Sequence, residues 1–310
     1  MAFITLVLSV VGVSMLASCA RMGQPDGGWY DETPPRVIGA APAQGAVHSS
    51  QKKVSIFFDE YIKLENATEK VVVSPPQLEQ PEIKAAGKRI EVKLLDSLRA
   101  NTTYTIDFSD AIVDNNENNP LGNFTYSFST GNNIDTLQVE GNVVLAENLE
   151  PVKGILVGLY SAPQFNDSTF LTTPLLRVAR ADSRGHFIIR GVAPGTYHVM
   201  ALADADGNYC FSQKSEQIAF STDTISPYVT SATRQDTLWT DSLHIKNIEQ
   251  VKYQRFMPDE LVLRAFTEKL TDRFFIKSER KEPNCISLYF SYGDGTLPDI
   301  KGLDFDSDNA

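Results

Sequence analysis

The sequence predicts an all-β protein built from tandem β-sandwiches. Two observations carry this. Short stretches place apolar or β-branched residues at every second position, and Gly, Pro, Asn and Asp cluster between them. No stretch keeps a helical period for more than a turn or two.

The first block supplies five such strands. Residues 53–58 (KVSIFF), 71–73, 89–94 (RIEVKL), 103–108 (TYTIDF) and 124–129 (FTYSFS) alternate or carry β-branched runs. Turns fall at Ser74-Pro75-Pro76, at Ala86-Gly87-Lys88 and across 115–122. Strands at this spacing make one sandwich over residues 34–131, with Phe57, Ile106 and Phe128 expected inside.

A second block covers residues 135–226. Residues 139–144 and 155–160 read as strands around a polar loop with Pro151 and Gly154. Asp182-Ser183-Arg184-Gly185 makes a tight turn in which Gly185 takes positive φ. Phe187 and Ile189 then point inward, Pro194-Gly195 turns the chain, and Tyr197 and Val199 begin the return strand. Polar residues 227–247 read as a linker. Residues 248–310 read as a third, β-rich and incomplete unit with strands near 260–266, 273–277 and 286–291, because so few strands close no sandwich.

Ahead of these blocks, residues 2–16 form an apolar run broken only by Thr5, Ser9, Gly12 and Ser14. That length suits a signal peptide better than a membrane span. It ends in Leu16-Ala17-Ser18-Cys19, which resembles a bacterial lipobox, although no Lys or Arg precedes the run. The resemblance implies a signal peptide over 1–18 and acylation of Cys19, with palmitate or a related chain holding the protein to a membrane. Residues 19–33, rich in Gly, Pro and polar side chains, form a tether.

Composition narrows the function classes. The chain has 310 residues, 42% of them hydrophobic, and a net charge of -11. It can bury real cores, and its acidity opposes nucleic acid, since no basic cluster replaces counterions. Three cysteines exclude a cysteine metal cluster or a disulfide framework; one long-range disulfide is arithmetically possible, but Cys210 and Cys285 read better as unrelated buried thiols.

The first block resembles the bacterial Ig-like domain of the S-layer SbsA type. The resemblance rests on Pro34-Pro35-Arg36-Val37, Pro42-Ala43-Gln44-Gly45-Ala46, Ile56-Phe57-Phe58-Asp59-Glu60, Asn101-Thr102-Thr103-Tyr104 and Tyr126-Ser127-Phe128-Ser129-Thr130-Gly131. With the lipobox, the front half looks like Ig-like-domain lipoproteins of the Bacteroidota, which implies an outer-membrane lipoprotein facing periplasm or surface. The second block is similar to carboxypeptidase regulatory-like or prealbumin-like domains through Asp182-Ser183-Arg184-Gly185-His186-Phe187 and Ala193-Pro194-Gly195-Thr196-Tyr197. That resemblance implies a module without catalysis.

Candidate chemistry is sparse. Asp204, Asp206 and Asn208, with Glu216 further on, offer oxygens at alternate loop positions, as calcium requires. An EF-hand loop needs Gly sixth and Glu twelfth, where this chain has Tyr209 and Ser215, so an acidic turn is the better reading. The loop 114–119 is a second oxygen-rich stretch with a plain turn as its better reading. His186 and His198 lie near Ser183 and Asp182, yet no nucleophile elbow or oxyanion glycine run accompanies them. Asp-Ser and Asp-Thr pairs before an aliphatic residue or Thr resemble the O-glycosylation sequon of exported Bacteroidota proteins. They nominate Ser97, Thr136, Ser168, Thr224, Thr237 and Ser242.

The expected protein is therefore a non-enzymatic lipoprotein without cofactor, whose modules space and bind an envelope protein or glycan. The alternative is a carbohydrate-binding accessory component of a surface hydrolase system. An exposed row of aromatics would favour it, and Trp29 and Trp239 fall in the expected tether and linker.

Overall fold

The computed structural model describes residues 31–166, 168–241, 243–268, 273–293 and 295. The signal peptide, Cys19, Trp29 and Ser242 lie outside these residues. The chain is all-β, as tandem sandwiches.

The first module contains β1 (Val37–Ala41), β2 (Lys53–Phe58), β3 (Ile62–Leu64), β4 (Val72–Ser74), β5 (Glu82–Ala85), β6 (Arg89–Lys93), β7 (Thr103–Asp107), β8 (Ile112–Asp114) and β9 (Thr125–Ser129). One sheet has the order β1-β2-β6-β5, facing a sheet β4-β7-β9 and a short pair β3-β8. All paired strands here are antiparallel. Alternation along β2 and β6 puts Val54, Ile56, Phe58, Ile90 and Val92 into a core with Ile106 and Phe128. Tyr104 stacks on Phe128 with ring centroids 5.3 Å apart. Phe57, expected inside, is 36% exposed. Strand period two sends it to the face opposite its buried neighbours Ile56 and Phe58.

The second module uses β10 (Leu137–Leu145), β11 (Leu156–Ser161), β12 (Arg177–Arg180), β13 (His186–Val192), β14 (Tyr197–Leu202) and β15 (Gln217–Phe220). Phe187, Ile189 and Val199 point into its core, as the alternation predicts. The turn before β13 closes through the Gly185 N–H donating to the Asp182 carbonyl at 3.0 Å, with Gly185 at φ +74.

The C-terminal expectation needs correction. Residues 227–247 are not a linker, and 248–310 is not wholly a separate unit. β16 (Tyr228–Trp239) and β17 (Ile245–Met257) form a long antiparallel ribbon, exposed along most of its length. The chain then returns as β18 (Leu261–Thr267), which lies between β15 and β10 in the order β12-β11-β14-β15-β18-β10-β13. β18 runs parallel to β10 and antiparallel to β15, and it buries Leu263 and Ala265 in the second core. The approach is close at Gly141, where a Cβ would sit 2.7 Å from the Leu261 Cβ. Polar residues occupy the ribbon because both of its faces meet water, which is why it reads as linker. Among the described residues, a last hairpin, β19 (Phe275–Glu282) with β20 (Cys285–Phe290), pairs only with itself. Cys285, expected to be buried, is exposed on it, whereas Cys210 is buried; both are free.

The two modules are fastened together. Ser74, on β4, accepts the Val178 N–H on its hydroxyl at 3.1 Å. The Arg177 guanidinium donates to the carbonyls of Thr103 and Ser74 and lies 3.8 Å from Asp135. Val72 of the first module packs with Tyr160, Leu175, Val178 and Met200 of the second. Arg190 pairs with Asp107 at 3.2 Å.

Candidate functional site

β4 and the stretch 77–83 on one side, and β11, β12 and the loop after β14 on the other, line a cleft of 600 Å³ between the modules. Its walls carry Gln77, Leu78 and Gln80 from the first module and Arg180, Asp204, Asp206 and Tyr209 from the second. Gln77 is 5% exposed. Its Nε2 donates to the carbonyls of Pro75 and Pro76, and among the described residues its Oε1, closed off from solvent, has no partner.

The acidic loop on this wall brings together three of the four calcium candidates. Carboxylate oxygens of Asp204, Asp206 and Glu216 lie within 4.8 Å of one another. Asn208 gives the cluster no oxygen: its side-chain oxygen accepts the Cys210 N–H at 2.6 Å, and its side-chain nitrogen donates to Asp206 at 2.8 Å. Donors already reach every carboxylate oxygen of the cluster. Asp204 takes the N–H groups of Gly207, Asn208 and Tyr209, and Asp206 takes Asn208 and the Ser212 hydroxyl. Buried Glu216 takes Ala205, Ser212 and Gln213. Such bonds close an acidic turn without an ion. Burial, helped by the neighbouring Asp206 carboxyl, holds Asp204 above the usual carboxylate range. Burial, then the Asp204 and Asp206 charges, push the Cys210 thiol up, which suppresses its thiolate.

The second oxygen-rich loop follows the same logic. Asp114 Oδ1 accepts from Asn116, Glu117 and Asn118, and Oδ2 accepts from Asn119. Desolvation alone would raise this carboxyl, but the four N–H donors outweigh it and hold Asp114 below its usual range.

The histidines are engaged elsewhere. His186 Nε2 lies 2.8 Å from Glu140, and its main-chain N–H donates to Asp182. The His198 ring packs against Phe165 at 4.4 Å. Of the glycosylation candidates, Ser97, Thr136, Ser168, Thr224 and Thr237 are exposed. Trp239 lies on β16 and is 57% exposed. Residues Gln77 and Arg180 carried no local signal, because the cleft they line exists only once the modules dock.

The first module's nine strands, with the turn at Pro42 and the closing strand at Thr125–Ser129, invite comparison with known families. Residues 31–130 match the bacterial Ig-like domain. The Ig-like module is thus the recognised part of the chain, and the second sandwich is joined to it through β4 and β7. No curated protein matches the sequence. Among solved structures, the N-terminal part of the bacterial S-layer protein SbsC is 13% identical over 56% of this chain, with a TM-score of 0.23. The chain spans 42% of that structure. An L,D-transpeptidase from Mycobacterium smegmatis is 16% identical, covering 54% of this chain and 76% of its own, at a TM-score of 0.22. The backbone pilin of serotype M6 Streptococcus pyogenes is 9% identical over 73% of this chain and 66% of its own, at 0.21. Among the described residues, no helix is long and apolar enough to cross a membrane.

Proposed function

We propose that the chain is a non-enzymatic lipoprotein of the bacterial outer membrane. Acylated Cys19 holds it to the bilayer, and its sandwiches act as a rigid spacer that presents loops to an envelope partner. One observation carries the spacer reading. The Ig-like module and the second sandwich share a buried junction, with Arg177, Ser74 and Thr103 interlocked and Val72 packed across it. Modules fastened this way keep a fixed angle and span, whereas modules on a flexible linker do not.

The test is detergent phase partitioning of the full chain expressed in a Gram-negative host. Wild type enters the detergent phase and Cys19→Ala remains in the aqueous phase. Equal partitioning of the two removes the anchor. Incubation with peptide, ester and glycoside substrates gives no turnover. Turnover lost on changing His186 or His198 would overturn the non-enzymatic reading.

A further inference from the structure

We propose that the free edge of β16 is a dimer interface, pairing antiparallel with β16 of a second copy of this chain about a two-fold axis at Thr233. This goes beyond the spacer reading, which stands whatever the outcome here.

The edge is long and open. β16 bonds to β17 along one side, and among the described residues nothing pairs with its other side. Its 12 residues, at a rise of about 3.4 Å each, make an edge of about 40 Å. A two-stranded ribbon is marginal in water by itself, and added strands stabilise it.

The two outer edges of the ribbon differ in chemistry. Strand edges that stay unpaired are guarded by lysine, proline or a bulge. β17 carries such guards in Lys246 and Lys252, with Arg255 beyond them. β16 contains no Lys or Pro, and its register against β17 runs unbroken from Tyr228 to Leu238. Its two charges, Arg234 and Asp236, neutralise each other at 2.8 Å. Thr, Tyr, Val and Trp, all good strand formers, make up half of it. The β16 edge is therefore the one left ready to pair.

Its sequence is complementary to itself. Two antiparallel copies related by a two-fold axis normal to the sheet place one residue opposite its own copy. Outward-pointing N–H and C=O groups then meet their counterparts, with about one bond per residue, close to the ten or so of an ordinary interface. Axes at 233 and 234 overlap nearly the whole strand. An axis at 234 sets Arg on Arg, whereas one at 233 sets Thr on Thr, a favourable cross-strand pair. With the axis at 233, Arg234 faces Ala232 and Asp236 faces Thr230, so no like charges oppose. Exposed apolar residues sit at both ends of the ribbon, and antiparallel pairing brings the tip of one to the base of the other. Leu238 then faces Tyr228. On the opposite face Val229, already beside Phe256, gains Thr237 and behind it Ile248. Copies of a chain with net charge -11 repel each other, and an electrically balanced strand is where they approach at least cost. The resulting order β17-β16-β16-β17 leaves lysine-bearing strands on both outer edges, so assembly closes at two copies.

Disulfide trapping in membranes of a Gram-negative host tests the pairing, using the full chain with Cys285→Ser to remove the exposed thiol. Thr233→Cys places two Cα atoms about 4.5–5.5 Å apart, within the span of a disulfide, and gives a cross-linked dimer under mild oxidation. Thr230→Cys lies about 20 Å from its own copy and gives none. Sedimentation velocity of the full chain in detergent supplies a second readout. Wild type is dimeric, and Thr233→Lys, which sets like charges opposite each other, raises the dissociation constant about tenfold or more. The lipid end is the same in both, so the difference reports the ribbon. A monomeric wild type, larger assemblies, equal cross-linking at 230 and 233, or a dimer that Thr233→Lys leaves unchanged overturns the proposal. So does Thr233→Cys cross-linking only to other proteins, which would assign the edge to a foreign strand.

Discussion

The guanidinium of Arg177, on the second module, donates to the main-chain carbonyl of Thr103 on the Ig-like module. Arg177 is 6% exposed. Burial pulls its pKa down to about 10, with Asp135 opposing that shift, so the group stays charged at neutral pH. A buried cation is tolerable when carbonyls and a carboxylate surround it. Thr103, Ser74 and Asp135 provide that surround.

Removing this side chain takes a donor from the carbonyls of Thr103 and Ser74 and the cation from beside Asp135, and it leaves a cavity at the junction. Arg177→Ala is expected to cost about 3 kcal/mol and to split a single urea transition into two. Arg177→Lys restores the charge but not the planar fork, so it recovers only part of the loss. A single, unshifted transition in Arg177→Ala would mean that the junction contributes nothing to cooperativity.

Gly185 combines a positive φ with crowding. A Cβ there would press on the Val143 carbonyl and sit 3.2 Å from the Val152 nitrogen. Gly185→Val should therefore lower the melting temperature of the second module, from at least about 1–2 kcal/mol of backbone strain. Gly39 is the control, because a Cβ there meets nothing within 4 Å and no positive φ is involved. Equal melting of Gly185→Val and Gly39→Val would contradict the structural account.

The depressed pKa of Asp114 links stability to pH. A carboxyl that titrates lower when folded stabilises the native state fully above its unfolded value, near 3.8. That contribution is lost as pH falls through the folded value. Asp114→Asn should thus melt a few degrees below wild type at pH 7, with the gap narrowing below about pH 4. A gap that stays constant down to pH 2 would rule out the charge as its source.

Because β18 lies between β10 and β15, a chain stopped at residue 226 loses an internal strand. Two sheet edges open and the packing of Leu263 and Ala265 disappears. The fragment 31–226 should keep a folded Ig-like module beside an unfolded or aggregating second one, while 31–268 folds throughout. Backbone amide NMR of the two fragments distinguishes these outcomes. A well-dispersed second module in 31–226 would show that β18 is dispensable.

The alternation of apolar and polar residues suffices to identify β2, β6, β7 and β9 and to make the chain all-β, because a half-buried strand must alternate. The turn at Asp182–Gly185 is equally local, since four residues and one positive φ make it. Where alternation occupies both faces the local rule weakens, and Phe57 falls outward while Ile56 and Phe58 fall inward. The return of β18 after the excursion through residues 221–260 is a matter of tertiary structure. No local preference distinguishes a strand that pairs with its sequence neighbour from one that fills a gap in a distant sheet. The acidic residues at 204–208 are visible as a loop, but their saturation by backbone N–H groups depends on how that loop folds. Gln77, Arg177 and Arg180 are unremarkable polar residues in the sequence. They acquire roles only because docking buries them or sets them across a cleft, and burial is what gives a charge or an unpaired amide its energetic weight.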